Sequence, residues 1–306
     1  MKLSRCASIA LAIVLVLALG LTPGCAEKEA KPSPSPVTPT EPVAPSEPIA
    51  PATEPVTPEP VPPPLKTAQR LLYFNRGEYL GVAGRDVPDE GDLAARIKWT
   101  MQALLTGPTA QELGWGLTGT CIPAGTVVNA VTVAGHVATV DLSSRFESGG
   151  GSLSMLLRVA QVVYTVTQFD GIDRVAFKLD GKPAKAIGGE GVIVSPPVSR
   201  ADFEGQAPPI LAESPVPGQT VRSPIHASGS ANVFEAQFNV EVKGPNGKVI
   251  ASKPVKATSG TGTRGTFETT IPYTGSPTGP GTVVFFDISE KDGSRLDVIE
   301  IPVVMR

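Results

Sequence analysis

The stretch QVVYTVTQFDGIDRVAFKLDG, residues 161–181, gathers Tyr164, Thr165, Thr167, Gln168, Asp170, Asp173 and Asp180 in one short span. A phenol, hydroxyls and carboxylates so close together could supply general acids and bases, and a carboxylate pair is what glycoside hydrolysis requires. Asp170 and Asp173 flank a tight turn, however, where capping and turn roles account for them. A Ser-His-Asp set would have to join His136 to Asp141 and Ser143 or Ser144. Those residues alternate between the faces of one strand, and nothing in the sequence joins them. There is no GxSxG elbow; GGGSLS, residues 149–154, reads as a flexible lead-in with Ser152 capping a helix.

Metal and phosphate chemistry find no better footing. His136 and His226 are the only histidines, and neither has a second His or Cys at zinc-ligand spacing. DVPDEGD and DISEKDGSRLDVIE lack the calcium-loop pattern. The first suits a helix N-terminus, where the dipole favours carboxylates, and the second a hairpin turn at Asp292-Gly293. GGEG is not followed by Lys and Ser or Thr, so it is not a phosphate loop. Cys121 lies in GLTGTCIPAGT, which holds no Lys, Arg or His to lower a thiol pKa, and it reads as a small buried hydrophobe. No catalytic residue, metal ligand or cofactor site is assigned.

The elements that would position such residues are legible. RLLYFNRGEYLGVAGRDVP predicts a strand, a turn near Arg76-Gly77 and a second strand. Leu93, Ile97, Met101, Leu104 and Leu105 recur at helical spacing, with Asp89 or Asp92 to cap the start and Gly107-Pro108 to stop it. A glycine-rich loop through Gly119 follows. Alternation at Val131 and Val133, then at Ala138, Val140 and Leu142, predicts a hairpin turning at Ala134-Gly135. Leu153, Leu156, Leu157, Ala160, Val163, Tyr164 and Thr167 fall on one helical face. The β-branched run 162–167 argues for strand, but length and period favour helix. Val175, Phe177 and Leu179 then alternate along a strand that Asp180-Gly181 turns, and Asp170-Gly171 ends the helix before it. Residues 66–195 are thus expected to be an α+β domain, a mainly antiparallel sheet with two helices packed on one side, with 196–209 as a linker.

From Ile210 to Arg306 the helical period vanishes. Short alternating runs separated by PVPGQ, SGSAN, GPNGK, SGTGTRG, GSPTGPG and EKDGS predict about seven strands of an all-β, immunoglobulin-like sandwich. The clearest strand puts Phe234, Ala236, Phe238, Val240 and Val242 on one face, and Glu235, Gln237, Asn239 and Glu241 on the other.

At the other end, Lys2 and Arg5 precede an apolar run from Ile9 to Leu21, shorter than the roughly 20 residues of a membrane span and fitting a secretory signal. It ends in LTPGC, which resembles a bacterial lipoprotein signal. The resemblance implies cleavage before Cys25 and lipidation of that cysteine, with a signal over 1–25. The position three before Cys25 is Thr22, where such signals carry Leu. Residues 26–65 have proline every few positions and glutamate as the main charge, so they predict a disordered, semi-rigid spacer. A net charge of −3 and a pI of about 5.6 give no basic footprint for nucleic acid.

Residues from about 70 to 190 resemble a GerMN domain through LLTGPT, PAGTVVNAVTVAGHVATVDLSSRF and AQVVYTVTQFDGIDRVAFKLDGK. Residues from about 210 to 305 resemble the immunoglobulin-like domain of bacterial spore germination through ESPVPGQTVRSPIHASGSANVFEAQFNVEV, GTFETTIPY and VVFFDISEKDGS. The resemblance implies extracytoplasmic lipoproteins without catalytic residues. The expectation is a non-enzymatic, lipid-anchored protein of the cell envelope that binds protein or peptidoglycan, in sporulation, germination or wall remodelling. Two rivals stay open: a wall hydrolase using a carboxylate pair in the GerMN domain, and an extracellular small-ligand-binding lipoprotein.

Overall fold

The computed structural model describes residues 65–189 and 191–306. The signal, Cys25 and the spacer up to Leu65 lie outside the described residues. Among the described residues no helix is long and apolar enough to cross a membrane.

The chain opens on a hairpin, β1 (Thr67–Arg76) and β2 (Tyr79–Pro88), paired in register from Thr67↔Pro88 to Arg76↔Tyr79. Gly77 takes the left-handed conformation that its turn requires. In β1, Leu72, Tyr73 and Phe74 are buried one after another, so this strand is covered on both faces. Helix α1 (Leu93–Leu105) follows; of the two possible caps it is Asp92 that accepts from Ala95 N, while Asp89 pairs with Arg70. The loop expected after it contains a helix of its own, α2 (Ala110–Gly114). Its capping box pairs Thr109 with Glu112, and Thr-x-x-Glu was present in the sequence as its signal.

Next come β3 (Val128–Ala134), β4 (Val137–Leu142), α3 (Ser152–Val166), β5 (Arg174–Leu179) and the short β6 (Lys182–Pro183). They form one sheet in the order β3-β4-β5-β6. The β4–β5 pair is parallel, because α3 crosses over between them, and the other two pairs are antiparallel. The β3–β4 turn falls on Gly135-His136, one residue later than expected. Ser152 is the first residue of α3 rather than its cap, which is Gly151, and the helix ends at Thr167 rather than at Asp170-Gly171. From Leu157 to Val166 every residue of α3 is buried. Burial on all sides explains how a β-branched run stays helical: tertiary packing overrides local preference. Asp180 and Gly181 both have positive φ and make the two-residue turn to β6. A small pair, β7 (Ala186–Ile187) and β8 (Val192–Ile193), completes this part.

The stretch 196–209, expected as a linker, is structured. Val198 bridges to Val175, and Arg200–Gln206 form helical turns that bury Phe203.

The sandwich has eight strands: β9 (Ile210–Ser214), β10 (Thr220–Val221), β11 (Ile225–Ala231), β12 (Gln237–Lys243), β13 (Val249–Lys256), β14 (Gly265–Ile271), β15 (Gly279–Ile288) and β16 (Arg295–Met305). One sheet runs β10-β16-β15-β12-β13 and the other β14-β11-β9. Phe238, Phe267 and Phe285 meet in the core at centroid distances of 4.9, 6.5 and 5.9 Å, where ring pairs add to simple area burial. Phe234 departs from the expected alternation. Glu235 and Ala236 adopt positive φ, so β12 begins at Gln237 and Phe234 is exposed. Glu241, on the opposite face from Val240 and Val242, is buried and accepts two hydrogen bonds of 2.9 Å from Arg295.

The core of the α+β part does not stop at the sandwich. It takes in Phe203, Ala207, Leu211 and Val216, and the Val216 side chain fills the space over Gly84. At Gly218 (φ +81) an added Cβ would lie 2.4 Å from the Trp115 ring, so glycine is required on two counts.

Candidate functional site

The densest polar cluster lies where β1, α3, the 200–206 turns and the sandwich meet. The Tyr73 phenol is fully buried on β1 and donates to Glu213 on β9. Arg200 inserts between two rings, its guanidinium 5.4 Å from the Tyr73 centroid and 4.8 Å from that of Tyr164. It donates to Glu213 Oε1 (2.8 Å), Thr167 Oγ1 (2.9 Å), the Tyr164 carbonyl (3.1 Å) and Tyr73 Oη (3.2 Å). Burial alone would depress the Arg200 pKa, but its interactions with Tyr73 and Glu213 outweigh this and raise it. Burial and then Glu213 push the Tyr73 phenol well above 10.0.

A second arginine closes the cluster from the sandwich side. Arg264 donates to Glu204 Oε2 (2.8 Å), the Pro208 carbonyl (2.8 Å) and Ser230 Oγ (3.3 Å). Asn232 donates to the other Glu204 oxygen at 2.9 Å. Burial pushes the Glu204 carboxyl up, but its bonds from Arg264 and Asn232 outweigh that and hold it below its ordinary value. Between the two arginines opens a cleft of about 500 Å³ lined by Tyr164, Ala201, Ser230 and the 262–266 segment. Tyr164 is buried and its hydroxyl has no hydrogen-bond partner. Burial raises its pKa, and Arg264 is the strongest charge acting against that rise.

The residues singled out in the sequence go elsewhere. His136 lies exposed with Nδ1 3.0 Å from the Gly171 carbonyl and 3.3 Å from Asp173. Asp141 accepts from Gly181 N and Ser143 from Val127 N, while Ser144 N donates to Asp180; none of these contacts reaches His136. Those bonds to Ser144 hold the Asp180 carboxyl low. Asp170 is exposed in its turn. His226 is an exposed residue of β11.

Cys121 is half-buried and its Sγ accepts from Asn75. A cation absent from its local sequence stands beside it: Arg158 of α3, itself buried, donates to the Cys121 carbonyl (2.8 Å) and to the carbonyls of Phe146, Ser148 and Gly149. This guanidinium ties loop to helix without a carboxylate partner, and burial lowers its pKa.

Among the described residues, the one carboxyl held above its ordinary value, through burial and then Asp287, is Asp297. It lies at the end of the sandwich, not in the α+β part. No group of three or more His, Cys, Asp and Glu that could hold a metal occurs among the described residues.

Sequence-family models match both parts. Residues 71–185 match the domain described as sporulation and spore germination, and residues 210–294 the immunoglobulin-like domain of bacterial spore germination. The chain carries both domains. Among solved structures, the first GerMN domain of the sporulation protein GerM of Bacillus subtilis is 28% identical, covering 44% of this chain and 99% of that one at a TM-score of 0.35. The tandem GerMN domains of the same protein are 18% identical, over 62% of this chain and 60% of that one, at 0.36. A Clostridium perfringens protein provisionally described as a lipoprotein is 19% identical, over 44% and 89%, at 0.33. No curated protein matches the chain. The polar cluster therefore joins a GerMN domain to its immunoglobulin-like neighbour. It was missed in the sequence because its members come from positions as far apart as Tyr73 and Arg264.

Proposed function

We propose that this chain is a non-enzymatic binding protein of the bacterial envelope, anchored outside the cell through a lipid on Cys25 and carried on the proline-rich spacer. It would engage an envelope protein or peptidoglycan in sporulation, germination or wall remodelling. The observation that carries this reading is the junction itself. Its carboxylates are held by arginines and its phenols are kept protonated, so its charged groups serve to fix two germination-type domains as one body. A general acid needs the opposite setting, a carboxyl whose pKa is pushed up toward neutrality.

Mass spectrometry of the mature N-terminus tests the anchor: acylated Cys25 is expected, and an intact signal overturns it. Co-sedimentation of the full chain, in detergent, with purified peptidoglycan and with envelope membranes separates wall from protein partners. Release of soluble muropeptides in that mixture would overturn the non-enzymatic reading in favour of a hydrolase. The cleft beside Tyr164 favours a second reading, recognition of a small ligand: its volume and mixed apolar and polar lining are those of ordinary ligand sites.

A further inference from the structure

The sandwich carries a cleft of its own, of about 490 Å³, between the start of β12 and the β15–β16 hairpin. Its described lining residues all come from the second domain, and its apolar ones are Phe234, Phe238, Pro254, Ile288 and Leu296. Phe238 belongs to the core, but Phe234, Ile288 and Leu296 are 53%, 45% and 45% exposed. Exposed apolar side chains scattered singly are ordinary; three gathered on one cleft mark an interaction surface.

Phe234 is not exposed through looseness. Glu235 and Ala236 both take positive φ, which non-glycine residues rarely adopt, and so turn it out of the strand. The 257–261 segment clamps this turn. Glu235 N donates to Thr261 Oγ1 at 3.0 Å, Thr261 N to the Val233 carbonyl at 2.9 Å, and Ala257 N to the Ala236 carbonyl at 2.8 Å. Phe234 is therefore presented in a fixed position, which lowers the ordering cost of binding.

Charge decides which partner fits. Glu235, Asp287 and Glu290 line the same cleft, against Lys291 alone. None of the three carboxylates is in an ion pair among the described residues. Asp297, which follows Leu296, adds a fourth: burial and then the Asp287 charge raise its pKa, so the two carboxylates repel. Arg295 does not relieve them, because it is held by Glu241 and stacks on Phe286 at 4.0 Å. The edge strand beside the cleft, β13, carries Lys253, Pro254 and Lys256, which oppose pairing by an added strand. A partner must therefore engage through its side chains, cationic ones to offset the carboxylates and apolar ones to cover Phe234.

We propose that this cleft docks a cationic amphipathic segment of a partner protein, its apolar side chains on Phe234, Ile288 and Leu296 and its lysines or arginines against Glu235, Asp287, Glu290 and Asp297. The inference rests on the binding reading above and deepens it, naming the partner as a protein and giving its chemistry.

The probe is a short synthetic peptide alternating lysine with leucine, titrated by calorimetry into the full chain in detergent, with detergent alone as the blank. Two control peptides replace every lysine by glutamate or every leucine by serine. Saturable binding of the lysine–leucine peptide is expected, about tenfold or more tighter than either control and weakened by salt. Phe234→Ala should lower its affinity about tenfold. Glu290→Gln combined with Asp297→Asn should lower it several-fold and flatten the salt dependence. All three positions are exposed, so these variants stay folded, which a thermal melt checks.

No saturable binding, equal binding of either control, or wild-type affinity in Phe234→Ala overturns the proposal. So does a dimer of the chain in sedimentation velocity that Phe234→Ala dissolves, since the occupant is then a second copy. Co-sedimentation with wall and membranes separates the two ideas. If it is intact in the wild type while the peptide does not bind, this surface fails and the envelope-binding reading stands.

Discussion

Glu213 is the acceptor on which the inter-domain cluster depends. In Glu213→Ala the buried Tyr73 hydroxyl loses its acceptor and Arg200 loses its carboxylate, while the other three Arg200 bonds remain. A hydrogen bond to a charged group contributes about 1.5–3 kcal/mol. The ion pair itself is partly screened, since the Arg200 and Glu213 side chains retain 30% and 21% exposure, so it adds about 1 kcal/mol at most. The expected loss is about 2–4 kcal/mol. At about 2–4 °C per kcal/mol for a body of this size, Tm should drop by roughly 4–16 °C. Glu213→Gln keeps a neutral acceptor for the phenol and should cost about half as much. Urea unfolding of the two variants and of Tyr73→Phe measures this, and a double-mutant cycle isolates the Tyr73–Glu213 coupling at about 1.5–3 kcal/mol. A loss below about 0.5 kcal/mol in Glu213→Ala would mean the pair behaves as an ordinary exposed salt bridge, and the junction would not fix the domains.

Other outcomes follow from the same coordinates. Tyr164→Phe should stabilise the unliganded protein by about 1 kcal/mol, because it removes a buried hydroxyl without a partner; a thermal melt showing destabilisation would mean that hydroxyl is satisfied. The Tyr73 pKa is raised in the folded state, so its contribution is complete below the unfolded value near 10.0 and is lost as pH rises above it; unfolding midpoints across alkaline pH should fall in wild type and fall less in Tyr73→Phe. Glu112 has the opposite sign. Burial raises it, but its bonds from Arg85 and Thr109 prevail and lower it below 4.5, so its stabilisation is lost as pH falls through the acid range. Glu112→Ala should cost about 2–4 kcal/mol by removing the partner of Arg85, a pair with side-chain exposures of only 18% and 6%. Gly218→Ala should destabilise the contact between the domains, read as a lower Tm and increased Trp115 exposure in fluorescence quenching.

The fold was legible wherever one face of an element is buried. Leu93, Ile97, Met101 and Leu104 spell out α1, and Val175 and Phe177 spell out β5, because each lies on the inward face that the period selects. The failures have local causes. Phe234 continues an alternation that the backbone breaks with two positive-φ residues, which side-chain pattern does not encode. Helix α2 is too short for periodicity, although its capping box was readable. The stretch 161–181 that looked most like an active site is a helix, a turn and a strand, and of its residues only Tyr164 lines the candidate cleft. That cleft was illegible because Arg200 and Arg264 find their partners through tertiary structure, across segments that sequence alone does not bring together.

Leu211 and Val216 belong by sequence to the sandwich, yet they complete the core of the domain before it. In an evolving genome the two modules are therefore not freely exchangeable cassettes. A recombination joint at residue 195 would strand Phe203, Leu211 and Val216 on the wrong side and leave the first module with a hole where they packed. The natural unit of inheritance for the first domain runs past its apparent end, through the first strand of its neighbour to Val216 in the loop after it.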